Sequence, residues 1–581
     1  MVFNIFQRLF SKKSKITGDI WIDDKPHLRN TEMEHIEGTI RFNKSNESLL
    51  LSHISDLTIS YEPKIRLDFS YTEDSIIKIY SFFPLTKNPE KELQIFYDTI
   101  APLVNLTKYI FKKGDIIYSI FNTSVCGFEE VESSVEVKII QEGETYFLRI
   151  ENSKETIHFE EITTETQFYM DQKNKIFVWS INKDGIFQTF AITFPDNISF
   201  LEFLSKYSSC TYKNPESEYE KMEIENYKEE SEELSQYSEI EFEDEFREES
   251  CEVSFEKEEK NSLLVVGNSG HAFVSRGASI GVFNVEGGDL KFKTNIKNVM
   301  KNDMSKMVGF DNGKSLLISD DSEKDKIHKL DLECGKIAET WEIGRDMSDY
   351  FESNKLSNDG TLVGVSSQAL FRIDPRVKEK IVSEKVYKTN NQFSCGMSTR
   401  DGEVAVASRK GDLRLYDKID RRAKSLLPGF GDEIRGIDVT SNGKYIICTC
   451  KTYLMLIEVE GKFKTPIGKD KPIPKKLQLK PEHLAYINEE VSFTPAKFST
   501  DKAEESIVTS TGHYVITWNL EDVIKGRVYS YRIKKYGDKI VADNFGFGED
   551  ESIIVALPDD IKLAHKTAMK KPESFLRYKK Q

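Results

Sequence analysis

Apolar and polar positions alternate in short bursts through the C-terminal half of this 581-residue chain, and residues 432–459 show the unit most cleanly. Three apolar runs, 434–439, 445–450 and 453–459, lie in it, and Ser441-Asn442-Gly443-Lys444 joins the first two. Asn and Gly both tolerate the positive φ of a tight hairpin, so this pattern predicts an antiparallel meander.

The unit recurs. Turn signals of the same kind stand at 268–270, 311–313, 358–360, 400–402, 501–503 and 548–550, which with the template makes seven. Taken at residues 269, 312, 359, 401, 442, 502 and 549, they are spaced 43, 47, 42, 41, 60 and 47 residues apart. A four-stranded propeller blade repeats every ~40–45 residues, so the spacing predicts a seven-bladed β-propeller over 261–581. A β-sandwich is the poorer fit, because seven equal units exceed what a sandwich needs.

A second mark falls near the end of each third strand, where an apolar residue precedes Asp, Asn or Glu: Phe283-Asn284, Leu330-Asp331, Ile373-Asp374, Tyr416-Asp417, Ile457-Glu458 and Trp518-Asn519. These occupy the place of the Trp-Asp pair in WD40 blades. The seventh unit lacks the mark and no Gly-His pair recurs upstream, so the blades are WD40-like and diverged.

Upstream the pattern is also β-rich. Residues 1–126 read as strands followed by a helix near 90–111, with Pro102 inside it, and residues 133–213 read as six short strands closed by a helix over 199–207, capped by Asn197 or Ser199. The second arrangement resembles a pleckstrin-homology-like α+β barrel, and the first is open to the same reading. Phosphoinositide binding is disfavoured, because the 138–149 hairpin carries Glu142 and Glu144 where phosphate recognition needs basic residues. Residues 1–15, with Phe3, Phe6, Leu9 and Phe10 beside Arg8, Lys12, Lys13 and Lys15, read as a short amphipathic helix, either docked on its own domain or resting weakly on a membrane.

Charge alters the picture in one place. The net charge of −16 is concentrated in residues 215–260, which hold 20 acidic and 5 basic residues. With no sustained period, 214–260 reads as a disordered acidic linker, in which Glu241-Phe242-Glu243-Asp244-Glu245-Phe246 is a candidate docking motif. The long interval between the fifth and sixth turns holds a basic insertion, 461–490, with seven lysines and four prolines. It reads as a loop for the linker or for another acidic partner. The folded remainder has almost no net charge, which disfavours nucleic acid.

Candidate chemistry is sparse. Seven scattered cysteines, with no C-x₂-C pair and no histidine pair at ligand spacing, disfavour zinc and fit a reducing compartment. Cys448 and Cys450 share one strand face and suit small buried groups. No apolar run is long enough to cross a bilayer and no signal peptide is visible, so a cytoplasmic location is expected. No Gly-rich phosphate loop or nucleophile elbow is present. Ser394, His513 and Asp543 could be assembled into a triad, and Asp559-Asp560 into a carboxylate pair, only as collections of residue types. No enzyme, cofactor or metal is expected.

Nine strings bear a resemblance. They are 261–267 (NSLLVVG), 370–376 (LFRIDPR), 410–417 (KGDLRLYD), 437–439 (IDV), 450–453 (CKTY), 477–483 (LQLKPEH), 507–512 (IVTSTG), 541–545 (VADNF) and 554–560 (IVALPDD). In this order they resemble the vacuolar import and degradation protein 27 family. The resemblance implies a cytoplasmic protein tied to delivery of proteins to the vacuole for degradation, including control of a gluconeogenic enzyme, and it supplies no catalytic residues. The reading that emerges is a non-enzymatic scaffold that binds protein partners through the propeller rim, for which Arg372, Arg376, Arg414, Arg435, Lys451 and Asp543 are the candidate residues. A peripheral membrane adaptor using residues 1–15 and the basic tail 566–580 is the alternative.

Overall fold

The computed structural model describes residues 15–572 apart from 101–107, 213–258, 354–359, 460–471, 500–505, 547–551 and scattered gaps of one to three residues. The candidate N-terminal helix up to residue 14, the acidic linker up to residue 258, the turns at 501–503 and 548–550 and most of the basic tail lie outside the described residues. The chain groups into two compact units, 1–115 with 134–162 and 116–133 with 163–581.

The first unit opens with seven strands: β1 (Lys15–Ile22), β2 (Lys25–Ile36), β3 (Thr39–Phe42), β4 (Ser48–Leu50), β5 (Ile54–Ser60), β6 (Arg66–Glu73) and β7 (Ile76–Pro84). They form one sheet in the order β4-β3-β2-β1-β7-β6-β5. Leu67, Phe69 and Tyr71 alternate along β6 into its core, and α1 (Pro89–Ile100) adds Leu93, Phe96 and Ile100 at spacings of three and four. The helix expected over 90–111 therefore stops at Ile100. Pro102 disfavours helical backbone at the residue before it and cannot donate a helical N–H.

The next seven strands are β8 (Lys108–Asn122), β9 (Gly127–Glu142), β10 (Thr145–Glu151), β11 (Thr156–Glu161), β12 (Gln167–Asp171), β13 (Ile176–Lys183) and β14 (Ile186–Thr193). Their order, β11-β10-β9-β8-β14-β13-β12, repeats that of the first sheet, and α2 (Asn197–Thr211) follows as α1 follows the first. Both β8 and β9, which begin before residues 126 and 133, belong to this second sheet. The Lys112-Lys113-Gly114-Asp115 stretch, with Asp115 at φ 58°, breaks the apolar alternation of β8 and hid it. The cap of α2 is Asp196 rather than the expected Asn197 or Ser199: it accepts from the Ser199 N–H at 2.8 Å and the Ser199 hydroxyl at 2.7 Å.

From Asn261 onward come six successive four-stranded antiparallel sheets and a three-stranded seventh, each running from an inner to an outer strand in chain order. Second strands such as Ser315–Ser319, Val404–Ser408 and Ser552–Ala556 are buried at every position, as expected of strands covered on both faces by neighbouring blades. Of two short helices, α3 (Pro481–Ile487) follows the outer strand of blade five and α4 (Leu520–Ile524) joins the third and fourth strands of blade six.

The acidic mark after the third strands shapes the turn that follows. Asp331 accepts from the N–H of Glu333 and Cys334, Asp374 from that of Arg376, and Asn519 caps α4 by accepting from Asp522. The ring joins blade seven to blade one through Asn261, whose N–H donates to the Pro558 carbonyl and whose side-chain amide donates to the Leu557 and Asp560 carbonyls.

Candidate partner-binding site on the propeller

Inner strands bring their first residues to one rim of the ring, beside the turns that join second to third strands. Over blades four to six this rim carries alternating charge. Arg409 pairs with Glu433 at 3.2 Å, Arg435 approaches the same Glu433 at 3.7 Å, Lys451 pairs with Glu490 at 2.6 Å, and His513 Nδ1 lies 2.5 Å from Glu489. Lys451 holds the Glu490 carboxyl below its ordinary range, with Arg435 contributing. Exposed pairs of this kind contribute little to stability, so their charges remain available to a partner at little cost.

Below the rim, the inner strands are stitched by carboxylates. Asp349 accepts from the Gly396 N–H of the next blade at 2.8 Å, Asp438 accepts from the Phe498 N–H at 3.0 Å, and Asp543 accepts from the Thr494 hydroxyl at 2.5 Å. Lys306 touches Asp349. Burial, with the charge of Lys497, pulls the Lys306 ammonium down to about 7, with Cys395 acting in the opposite sense. Burial pushes Asp543 up to about 6 against its bonds from Thr494 and Ser510. One signal for these residues was present in the sequence, an Asp set in an otherwise apolar inner strand, as in Gly436-Ile437-Asp438-Val439.

The six candidate rim residues fall into three groups. Arg435 and Lys451 lie on the charged rim. Arg372 donates to Thr361, Arg414 donates to Asn391 beneath the rings of Tyr387 and Phe393, and Arg376 forms a two-point pair with Asp374. Asp543 is buried among the inner strands. The loosely assembled triad is not brought together: Ser394 donates to the Ile434 carbonyl, His513 faces Glu489, and Asp543 holds Thr494. Asp559 pairs with Arg276, and Asp560 accepts from the N–H of Ile561. Among the described residues no group of three or more His, Cys, Asp or Glu side chains is placed to hold a metal ion.

The described part of the basic insertion, 472–487 with 489–490, has a use that its composition did not disclose. Lys476 is buried: its ammonium donates to the Thr164 carbonyl at 2.8 Å and lies over the rings of Tyr453, Phe168 and Tyr212. Gln478 donates to the Phe168 carbonyl, Lys480 sits over Tyr169 and Tyr529, and Ser180 and Thr189 both donate to the carbonyl of Pro481, at the start of α3. Tyr212, at the end of α2, joins the apolar core of blades four and five against Phe430. The insertion thus cements the β12–β14 strands to blades five and six within one unit.

Comparison with known proteins bears on this fold. The VID27 C-terminal WD40-like domain family matches residues 259–579. The vacuolar import and degradation protein 27 of Schizosaccharomyces pombe is 40% identical over 345 residues, covering 54% of this chain and 43% of that protein. The Saccharomyces cerevisiae protein of the same name is 35% identical over 346 residues, covering 54% of this chain and 44% of that protein. The match thus spans under half the length of those two relatives. The β-propeller domain of Myceliophteria thermophila Cps50 (Swd1) superposes with a TM-score of 0.43 at 12% identity, covering 54% of this chain and 99% of that one. With its WD40-like domain matched over more than half its length, the chain belongs to the VID27 family.

Proposed function

We propose that this chain is a non-enzymatic cytoplasmic scaffold that holds protein partners on the propeller rim and serves the vacuolar import and degradation named for its relatives. The observation that carries the reading is the charged rim of blades four to six, where Arg409, Arg435 and Lys451 of neighbouring blades face one side, paired with the carboxylates of Glu433 and Glu490. Such an array suits recognition by charge pattern more than by apolar burial. Arg372, Arg376 and Arg414 are the less favoured members of the candidate set, because each is engaged within its own blade. The β12–β14 strands, part of the sheet read as pleckstrin-homology-like, support the propeller through the Lys476 junction.

The test is capture from cell lysate with the full chain against an Arg409→Glu/Arg435→Glu/Lys451→Glu variant, quantified by mass spectrometry. A partner set lost in the variant and kept when Lys525 and Lys539, outside this rim array, are reversed supports the reading. An unchanged set overturns it.

A further inference from the structure

The second sheet carries an extension that its topology does not need. In the first sheet, which has the same strand order, β1 and β2 run for 8 and 12 residues. The corresponding β8 and β9 run for 15 and 16. Strand β14 pairs with β8 as far as Ile120, and β10 pairs with β9 only from Glu142 back to Glu136. The ends of β8 and β9 around their turn therefore stand beyond the rest of the sheet as a two-stranded arm.

A lone hairpin is marginal in water, but this one is braced. The Phe121 ring meets Phe128 at 5.1 Å and Tyr486 of α3 at 6.0 Å. The Tyr486 hydroxyl donates to the Thr123 carbonyl at 3.3 Å, and the Asn122 amide donates to Glu129 at 3.0 Å. A strand held in this way offers its edge to a partner already ordered.

Along that edge, Gly127–Val131 has β8 on one side and no described strand on the other. Lysine on an edge strand discourages pairing with another chain, and the outer strands of blades one to three each carry it: Lys291 and Lys293 in Asp289–Ile296, Lys336 in Lys336–Glu342 and Lys385 in Ile381–Val386. Gly127-Phe128-Glu129-Glu130-Val131 has neither lysine nor proline. Its apolar members are open, Phe128 at 37% and Val131 at 50% exposure, and Val125 in the turn is 54% exposed.

Charge selects what fits this edge. Between Lys113 and Lys138 the sequence has five acidic residues and no Lys, Arg or His. A second copy of the chain laid on the same edge would set glutamate against glutamate, and the acidic segment 215–260 is no better suited, since like charges directly opposite are destabilising. Successive residues of a strand point to opposite faces, and each meets the residue directly across on its own face. A segment complementary to Phe128-Glu129-Glu130-Val131 therefore reads apolar, basic, basic, apolar, in either strand direction.

We propose that the β9 edge over Gly127–Val131 accepts an extended segment of a partner protein as an added strand, with two consecutive lysine or arginine residues set between apolar ones. Main-chain hydrogen bonds hold the strand, and the side-chain pattern fixes its register. The site uses none of the residues of the charged rim, so it stands independently of that reading.

Hydrogen exchange of the full chain, read by mass spectrometry with and without a synthetic peptide that has a Val-Lys-Lys-Val core, tests this. The peptide is expected to slow exchange over Gly127–Val131 on the order of tenfold, and a Val-Glu-Glu-Val peptide to leave it unchanged. Glu129→Lys/Glu130→Lys should abolish the protection while Val404–Ser408 of blade four keeps its own, and Arg409→Glu/Arg435→Glu/Lys451→Glu should leave the peptide effect intact. Exchange over 127–131 that the Val-Lys-Lys-Val peptide does not slow overturns the proposal. So does protection that is equal with both peptides, that persists in Glu129→Lys/Glu130→Lys, or that is complete without any addition. Protection that rises with protein concentration alone would assign the edge to a second copy and overturns it as well. Should the double variant fold poorly, the comparison of the two peptides on the wild type still decides.

Discussion

Gln478 donates its side-chain amide to the main-chain carbonyl of Phe168 at 2.6 Å across 310 residues of sequence. The same carbonyl accepts from the Tyr529 hydroxyl at 2.9 Å, and Lys476, two residues earlier, lies over the Phe168 ring. One short run of the insertion therefore ties β12 to two blades, and its lysine is the most demanding member, because a buried ammonium must keep all its compensation.

Lys476→Ala should destabilise this junction by about 2–4 kcal/mol, through loss of the charged hydrogen bond to Thr164 and of the ring contacts. Lys476→Met, which keeps much of the stem, should cost less. Thermal unfolding followed by limited proteolysis checks both the size and the place: new cleavage is expected near 163–171 before any within blades two to four. Equal stability of the alanine variant and the wild type would remove the junction from the account.

His483 on α3 gives the junction a pH dependence. Its ring stands 2.5 Å from the Tyr531 hydroxyl, and burial, with the charge of Lys480, pushes it down to about 3. A histidine held neutral in the folded state contributes stability that is full above its unfolded value of about 6.5 and is lost as pH falls toward the folded value. Thermal midpoints of the wild type should therefore drop between pH 6.5 and 4 more steeply than those of His483→Gln. Parallel slopes for the two proteins would show that other groups carry the acid response.

What could be read from the sequence was what local chemistry determines. Asn442-Gly443 specifies its hairpin, and Leu330-Asp331 and Trp518-Asn519 specify how third strands end, whatever lies elsewhere in the chain. The fate of Lys476 and Lys480 was illegible for the opposite reason. Their ring partners Phe168 and Tyr169 lie three hundred residues away, and a lysine-rich, proline-rich run reads as solvated loop until those partners are placed. Strand β8 was lost to Gly114 and Asp115, which interrupt its alternation at a bend. Of the candidate site, Arg435 and Lys451 stand on the charged rim, but Arg409, Glu433 and Glu490 were passed over because single exposed charges in turns carry no pattern of their own.

Cysteine reactivity should divide along burial. Burial pushes the thiols of Cys210 and Cys395 up to about 11 and that of Cys450 up to about 12, with Cys448 raised well above its ordinary value, whereas Cys334 lies exposed in a turn. Brief treatment of the native protein with iodoacetamide at pH 7.5 should alkylate Cys334 and spare those four, and peptide mass spectrometry reads the result directly. Rapid modification of Cys448 or Cys450 would show that blade five opens far more readily than its packing allows.

Asp543 yields the sharpest stability test, because it is a carboxyl that the ring of inner strands keeps at a disadvantage when charged. Burial raises it to about 6 although Thr494 and Ser510 bond to it. A carboxyl whose folded value lies above its unfolded value of about 3.9 adds stability only while protonated, and that contribution is lost as pH rises through about 6. Asp543→Asn keeps an acceptor for Thr494 and removes the charge, so at pH 7.5 the variant should be more stable than the wild type by up to about 2–3 kcal/mol. At pH 4.5, where the wild-type group is itself neutral in the folded chain, the advantage should shrink toward zero. Thermal midpoints of both proteins across that range decide the matter: a variant that is less stable at pH 7.5 would mean that the Asp543 charge is held by the inner strands rather than merely tolerated there.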